Sequence, residues 1–166
     1  TPWKTREAEL ERMAFYDELT GHLNRARLQE ALDEILISCR EESASAAYLL
    51  VNIDRLGMLN NDYGFDIADA VITEIGKRVE TCTRVGDIIG RAGGNQFGVV
   101  LPGAADMELR KVAEQTLAAA RNNEIMSDAG PLAVSLSLGG AILPKDAANS
   151  REAMGRAEEA LSRAKQ

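Results

Sequence analysis

The sequence predicts an α+β fold of ferredoxin-like order: a mainly antiparallel sheet flanked by helices, packed on one face. Three observations carry that expectation. Residues 46–53 (AAYLLVNI) are apolar almost throughout, which marks a buried strand. Residues 89–102 (IGRAGGNQFGVVLP) set two apolar runs on either side of a glycine pair, a hairpin signal. Helical periodicity lies between the first strand and the hairpin, and again between the hairpin and a last strand. From Ala46 the order is therefore β-α-β-β-α-β with a terminal helix.

Taken in order, a helix is expected over about 7–15, with Leu10, Met13 and Ala14 on one side and charges on the other. Asp17-Glu18-Leu19-Thr20-Gly21 breaks it. Asn24 is placed to cap a second helix running to about Arg40, with Leu28, Leu32, Ile35, Leu36 and Cys39 as its apolar stripe. After the first strand, Asn60-Asn61-Asp62-Tyr63-Gly64 is turn chemistry. A helix follows over about 66–82, with Val71, Ile72, Ile75 and Val79 turned inward. The hairpin strands occupy 87–91 and 96–101, and another helix spans roughly 105–121. Residues 122–131 are polar and carry Gly and Pro, hence a loop. In 132–143, Val134, Leu136 and Leu138 alternate, as in a strand facing a core on one side. Asn149 and Glu152 have capping-box spacing for the last helix.

At 166 residues the chain is one domain long enough to bury a core, and 45% hydrophobic with 27% charged residues is the balance of a globular protein. A net charge of −7 counts against non-specific binding to nucleic acid or an anionic membrane, since both need a cationic footprint. No apolar run reaches membrane length and no signal-peptide pattern is visible, so a cytoplasmic location is expected. Cys39 and Cys82 have neither framework nor metal spacing and read as buried apolar thiols. His22, the only histidine, has no second imidazole or adjacent nucleophile, which argues against catalysis by it. Gly90–Gly94 is followed by no Gly-Lys-Ser/Thr and opens no helix, so it is no P-loop. The chain starts without Met and stops inside a helical pattern, as a segment of a longer protein does. Residues 1–16 are expected to be a linker or signalling helix, with Trp3 and Tyr16 packing it, and 17–166 the domain proper.

The segments DELTGHLNR (17–25), NIDRLGMLNNDYGFDIAD (52–69), RVGDIIGRAGGNQF (84–97) and AEEALSRAK (157–165) resemble, in order and spacing, those of the GGDEF family. These are diguanylate cyclase domains, which condense two GTP molecules into cyclic di-GMP. The resemblance covers the chain beyond about residue 14 and implies an adenylyl-cyclase-like palm, in agreement with the topology above. In active members the first strand ends in Asp-x-Asp, whose first Asp holds magnesium; the matching positions are Asn52 and Asp54. The signature hairpin of the family carries Asp or Glu and then Glu near the metals, where this chain has Asn95 and Gln96 after Gly93 and Gly94. A family lysine that contacts phosphate is replaced by Gly57.

The resemblance thus implies that all the metal carboxylates have become amides. Magnesium demands charged oxygen ligands, and a neutral amide cannot neutralise it. Losing ~5 kcal/mol of metal stabilisation slows turnover on the order of 10³–10⁴-fold. The expectation is accordingly no catalytic residue, no metal and no cofactor, with Asp54 a lone retained carboxylate. The guanine-reading Asn and Asp of the family match Asn60 and Asp69, and its terminal-helix phosphate lysine matches Lys165. Arg84 and Asp87 match the RxxD inhibitory site for cyclic di-GMP, while a second arginine often found there is Gln115. Three readings stay open: a degenerate module that binds GTP or cyclic di-GMP and reports to a neighbouring sensory or EAL-type phosphodiesterase domain, a ligand-free structural or dimerising spacer, and a residual cyclase. A homodimer through the first helix fits the family habit; the one alternative is a solvent-facing helix.

Overall fold

The computed structural model describes residues 2–165, without the side chains of residues 2–5 and Glu11, so the expected packing of Trp3 lies outside the described residues. The elements run α1 (Pro2–Phe15), α2 (Arg25–Glu42), β1 (Ala46–Ile53), α3 (Leu56–Tyr63), α4 (Phe65–Thr81), β2 (Ile88–Gly93), β3 (Gln96–Pro102), α5 (Asp106–Arg121), β4 (Ile125–Ser127), β5 (Gly130–Leu132), β6 (Leu136–Leu143) and α6 (Ser150–Ala164). The main sheet has the order β2-β3-β1-β6 and is antiparallel in every pairing, the ferredoxin-like arrangement that the sequence predicts.

All residues of β1 are buried, because both faces of the sheet are covered. On one face Ala47, Leu49, Val51 and Ile53 pack with Val71, Ile72, Ile75 and Val79 of α4 and with Leu109 and Val112 of α5. On the other, Ala46, Tyr48 and Leu50 pack with Leu28, Leu32 and Leu36 of α2 and with Met154, Ala157 and Leu161 of α6. The expectation of helices on a single face is therefore corrected. A strand with no polar face leaves no side for water, and each fully buried leucine contributes about 1.5–3 kcal/mol.

Caps follow the sequence closely. The Asn24 side chain accepts from the Arg27 N–H, and that of Asn149 accepts from the Glu152 N–H, while Glu152 reaches back to the Ala148 N–H rather than to Asn149. Asp33 of α2 grips the same end of α6, accepting from the Ser150 N–H at 2.8 Å and its hydroxyl at 3.0 Å. Two expectations fail. Residues 60–63 are not turn but the last part of α3; only Gly64, at φ +90°, breaks the chain, its N–H bonded to the Asn60 carbonyl. Residues 122–131 are not all loop, for β4 and β5 form a small hairpin whose strands are too short to show alternation. Cys82 is half-buried, donating weakly to the Arg78 carbonyl, and only Cys39 is buried outright.

Candidate functional site

The site is built where β1, β3 and β6 end together. Antiparallel register sets Asn52 opposite Gln96 on one side and Ser137 on the other. The hairpin turn itself is Gly94-Asn95; Gln96 is already the first residue of β3, paired with Gly93. Asn52 is only 2% exposed. Its Oδ1 accepts from Asn95 Nδ2 at 3.2 Å and from Gln96 Nε2 at 3.3 Å, and its own Nδ2 donates to Asp54 Oδ1 at 3.1 Å. Asn95 Nδ2 also lies 3.4 Å from the Ile53 carbonyl.

Asp54 is the acceptor at the end of this chain. Besides Asn52 it takes the Ser137 hydroxyl at 2.8 Å and 3.0 Å and the Ser135 hydroxyl at 3.0 Å. Donors and acceptors therefore alternate along the network: amides give to Asn52, and Asn52 and the serines give to the single carboxylate. Among the described residues there is no group of three or more His, Cys, Asp or Glu side chains that could hold a metal ion. Sequence reasoning missed Ser135 and Ser137. The signal was available in the SLS pattern (135–137) at the entry to β6, but only the pairing of this segment with β1 turns it toward Asp54.

The hairpin tip is held from below. Arg91 donates to the Gly94 carbonyl at 2.8 Å and pairs with Asp17 at 3.1 Å, so the DELTG turn (17–21) and the glycine tip share one guanidinium. Burial pushes the Asp17 carboxyl up, but the Thr20 N–H, Arg91 and the Thr20 hydroxyl together outweigh it and leave the group below its ordinary value. His22 belongs to packing rather than chemistry: its ring meets Phe97 edge-on with centroids 5.8 Å apart.

The other expected residues lie in separate places. Asn60 and Asp69 are both half-buried, on the two helices that meet at Gly64. The Asn60 Oδ1 is buried without a hydrogen-bond partner among the described residues, an acceptor left over on that helix pair. Asp69 sits in the second turn of α4, and its carbonyl takes the Thr73 hydroxyl at 2.9 Å. Gly57, in the first turn of α3, is open to solvent with nothing within 4 Å of a Cβ placed there. Gly94 has the same open space above it, whereas a Cβ on Gly93 would lie 3.2 Å from Gln96 Oε1. Lys165 is exposed just past the end of α6, which returns along β6 toward the Ser137 edge.

At the RxxD segment the Asp87 side chain is 2% exposed, with Oδ2 accepting from the Arg84 N–H at 2.9 Å and lying 3.7 Å from its Nε. Arg84 itself is open, 56% exposed, with Nη2 3.4 Å from the Pro102 carbonyl. Gln115 is exposed on α5. The pair thus offers one exposed guanidinium, held loosely at 3.4 Å and 3.7 Å, the carboxylate being tied into its own turn.

Residues 14–166 match a family model described as "Diguanylate cyclase, GGDEF domain". The chain is 29% identical over 150 residues to the diguanylate cyclase TpbB of Pseudomonas aeruginosa, covering 87% of this chain and 34% of that protein. It is 28% identical over 158 residues to the cyclic di-GMP phosphodiesterase NbdA of the same organism, covering 95% of this chain and 20% of that one. The chain thus spans about a third or less of the length of these curated relatives. The solved GGDEF domain of TpbB superposes with a TM-score of 0.85 at 28% identity, over 90% of this chain and 88% of that one. The GGDEF domain of DgcB from Caulobacter crescentus, solved in complex with cyclic di-GMP, shares the fold at a TM-score of 0.86 and 21% identity, over 92% and 88% of the two chains. No helix among the described residues is long and apolar enough to cross a membrane.

Proposed function

The chain belongs to the GGDEF family of diguanylate cyclase domains, and on that premise we propose that it is a catalytically silent member, a module of cyclic di-GMP signalling that binds a guanine nucleotide and reports its state to an attached domain. The observation that carries the reading is the amide chain in which Asn95 and Gln96 donate to Asn52 and Asn52 donates to Asp54. Cyclases of this family use magnesium to bring the attacking hydroxyl and the phosphoryl centre together and to neutralise the charge that develops. The residues present do not fit that ion. One carboxylate, already accepting from Ser135, Ser137 and Asn52, stands with neutral amides, of which Asn52 has its oxygen taken by Asn95 and Gln96 and its nitrogen by Asp54.

What remains fits recognition. A carboxylate accepts two hydrogen bonds from the guanine N1–H and exocyclic amine; Asp69 supplies a carboxylate on α4, and the helix before it, α3, carries the unpaired Asn60 oxygen. Loss of anionic groups at the hairpin also lowers repulsion toward a triphosphate that arrives without its metal. For cyclic di-GMP the RxxD turn offers Arg84, a fork suited to phosphate or a guanine edge. Similarity to a fifth of the cyclic di-GMP phosphodiesterase NbdA supports an attached phosphodiesterase domain, taken here as EAL-type, as the domain controlled.

Calorimetry with GTP and with cyclic di-GMP, each with and without magnesium, tests the proposal. Binding of either nucleotide without magnesium, with no product formed, is the expected result. Loss of GTP binding in Asp69→Ala and of cyclic di-GMP binding in Arg84→Ala assigns the pockets. Binding of neither favours the spacer reading, and magnesium-dependent product at a rate typical of intact cyclases restores the enzyme.

A further inference from the structure

On the opposite side of the hairpin from the α3–α4 pair, the cleft between α2 and α6 holds a cavity of about 250 Å³ walled by Arg25, Gln29, Tyr48, Gln96, Arg151 and Glu158. Tyr48 is the informative member. It points from the middle of β1 into the α2/α6 layer, is 0% exposed, and its hydroxyl has no hydrogen-bond partner among the described residues. Gly98, on the neighbouring strand, makes room for it: a Cβ there would lie 2.5 Å from the phenol oxygen. Burial raises the phenol pKa far above its ordinary value, so the group is a neutral hydroxyl at any physiological pH. A buried hydroxyl left unpaired is destabilising, which makes it a group that a hydrogen-bond acceptor would satisfy.

The wall is rich in donors. Arg25 spends one nitrogen on the Ala92 carbonyl and keeps others free, and neither Arg25 nor Arg151 has an ion pair among the described residues. Two guanidiniums, a phenol and the Gln29 amide therefore face a single carboxylate, Glu158. An occupant that satisfies such a wall is acceptor-rich and negatively charged.

We infer that this cleft is a second ligand site, which takes a small oxyanion, a carboxylate or a phosphate group, held by the Tyr48 hydroxyl between Arg25 and Arg151. Gln96 belongs both to this wall and to the amide network at Asn52, so occupancy here bears directly on the hairpin. The site involves neither Asn60, Asp69 nor Arg84, and stands apart from the nucleotide reading above.

The test is titration of the folded chain with sodium phosphate and, separately, sodium succinate, at ionic strength held constant with sodium chloride, followed by amide NMR shifts and thermal melting. The expected result is saturable shifts confined to the α2/α6 cleft and a raised Tm. Tyr48→Phe should weaken binding about tenfold, the loss of one hydrogen bond to a charged partner. Arg151→Gln, on the exposed rim, should weaken binding while leaving the ligand-free Tm unchanged. A response to phosphate alone or to succinate alone supports the site and names the class of ligand. No saturable shift with either anion overturns the inference. So does a Tyr48→Phe protein that binds as the parent does, or one that melts higher while the parent shows no response, since the hydroxyl is then a packing defect. Asp69→Ala should keep the anion response, so failure of GTP binding in that variant tells against the nucleotide reading alone.

Discussion

Returning one carboxylate to the network, Asn52→Asp, isolates what the amides do. The substitution is nearly isosteric and keeps the oxygen that accepts from Asn95 at 3.2 Å and Gln96 at 3.3 Å. It replaces the donor 3.1 Å from Asp54 Oδ1 with a second anionic oxygen. At an effective dielectric of 20, two charges at that separation repel by about 5 kcal/mol. Protonation limits the penalty: holding a carboxyl of ordinary pKa near 3.9 neutral at pH 7 requires roughly 4 kcal/mol. The amide donors return about 1 kcal/mol each by bonding to a charged acceptor. The charged form thus costs about 3 kcal/mol net, less than protonation, and a loss of about 3 kcal/mol is expected at pH 7 in chelator. The sign of its pH dependence follows, because a carboxyl whose folded pKa is raised destabilises above its unfolded pKa and is relieved as pH falls. Urea unfolding at pH 8 and pH 5, with unchanged m-values, reads this directly. Equal stability of variant and parent at pH 8 without metal, or a deficit that ignores pH, would refute the picture of an amide network substituting for charge.

Further outcomes follow from other parts of the molecule. The combined variant Asn52→Asp, Asn95→Asp, Gln96→Glu should be destabilised in chelator and recover its Tm with millimolar magnesium, whereas the parent's Tm should not respond to the ion; differential scanning calorimetry compares the two. Gly139→Ala should be among the most damaging single changes, since a Cβ there would sit 2.2 Å from the Ala157 carbonyl and 2.5 Å from the Leu161 nitrogen, both backbone atoms of α6. About 3 kcal/mol is expected, a fall in Tm of roughly 6–12 °C. Asp17, with its pKa depressed below 3.8, contributes stability that is present above the unfolded value and lost as pH drops through the folded one. Asp17→Asn should accordingly be less stable than the parent at pH 6, with the gap closing below about pH 4 in acid-dependent urea unfolding.

Much of this was readable without coordinates, because local rules decide it. The β1 run AAYLLVNI appears with the bounds its composition predicts, and the Asn24 and Asn149 caps and the inward faces of α2 and α4 follow from periodicity and side-chain oxygens. The GGNQF signature and its neighbours were enough to place the chain in its family, and the proposal that Asn52, Asn95 and Gln96 replace carboxylates rests on the same segments. The helical nature of Asn60–Tyr63 was hidden by turn-forming side chains, whose preferences a short helix between Arg55 and Gly64 overrides.

Sequence by itself determined the identities at the site, Asn52, Asn95, Gln96 and Asp54, and the RxxD segment at Arg84 and Asp87. Tertiary structure alone decided that Asn95 and Gln96 converge on Asn52 and Asn52 on Asp54, that Ser135 and Ser137 complete the set, that Asp87 is consumed by its own turn, and that the Tyr48 hydroxyl is buried unpaired beside the α2/α6 cleft. The reason is that hydrogen bonds are satisfied between residues 43, 44, 81 and 83 positions apart as readily as between neighbours, once strand register has brought them within reach.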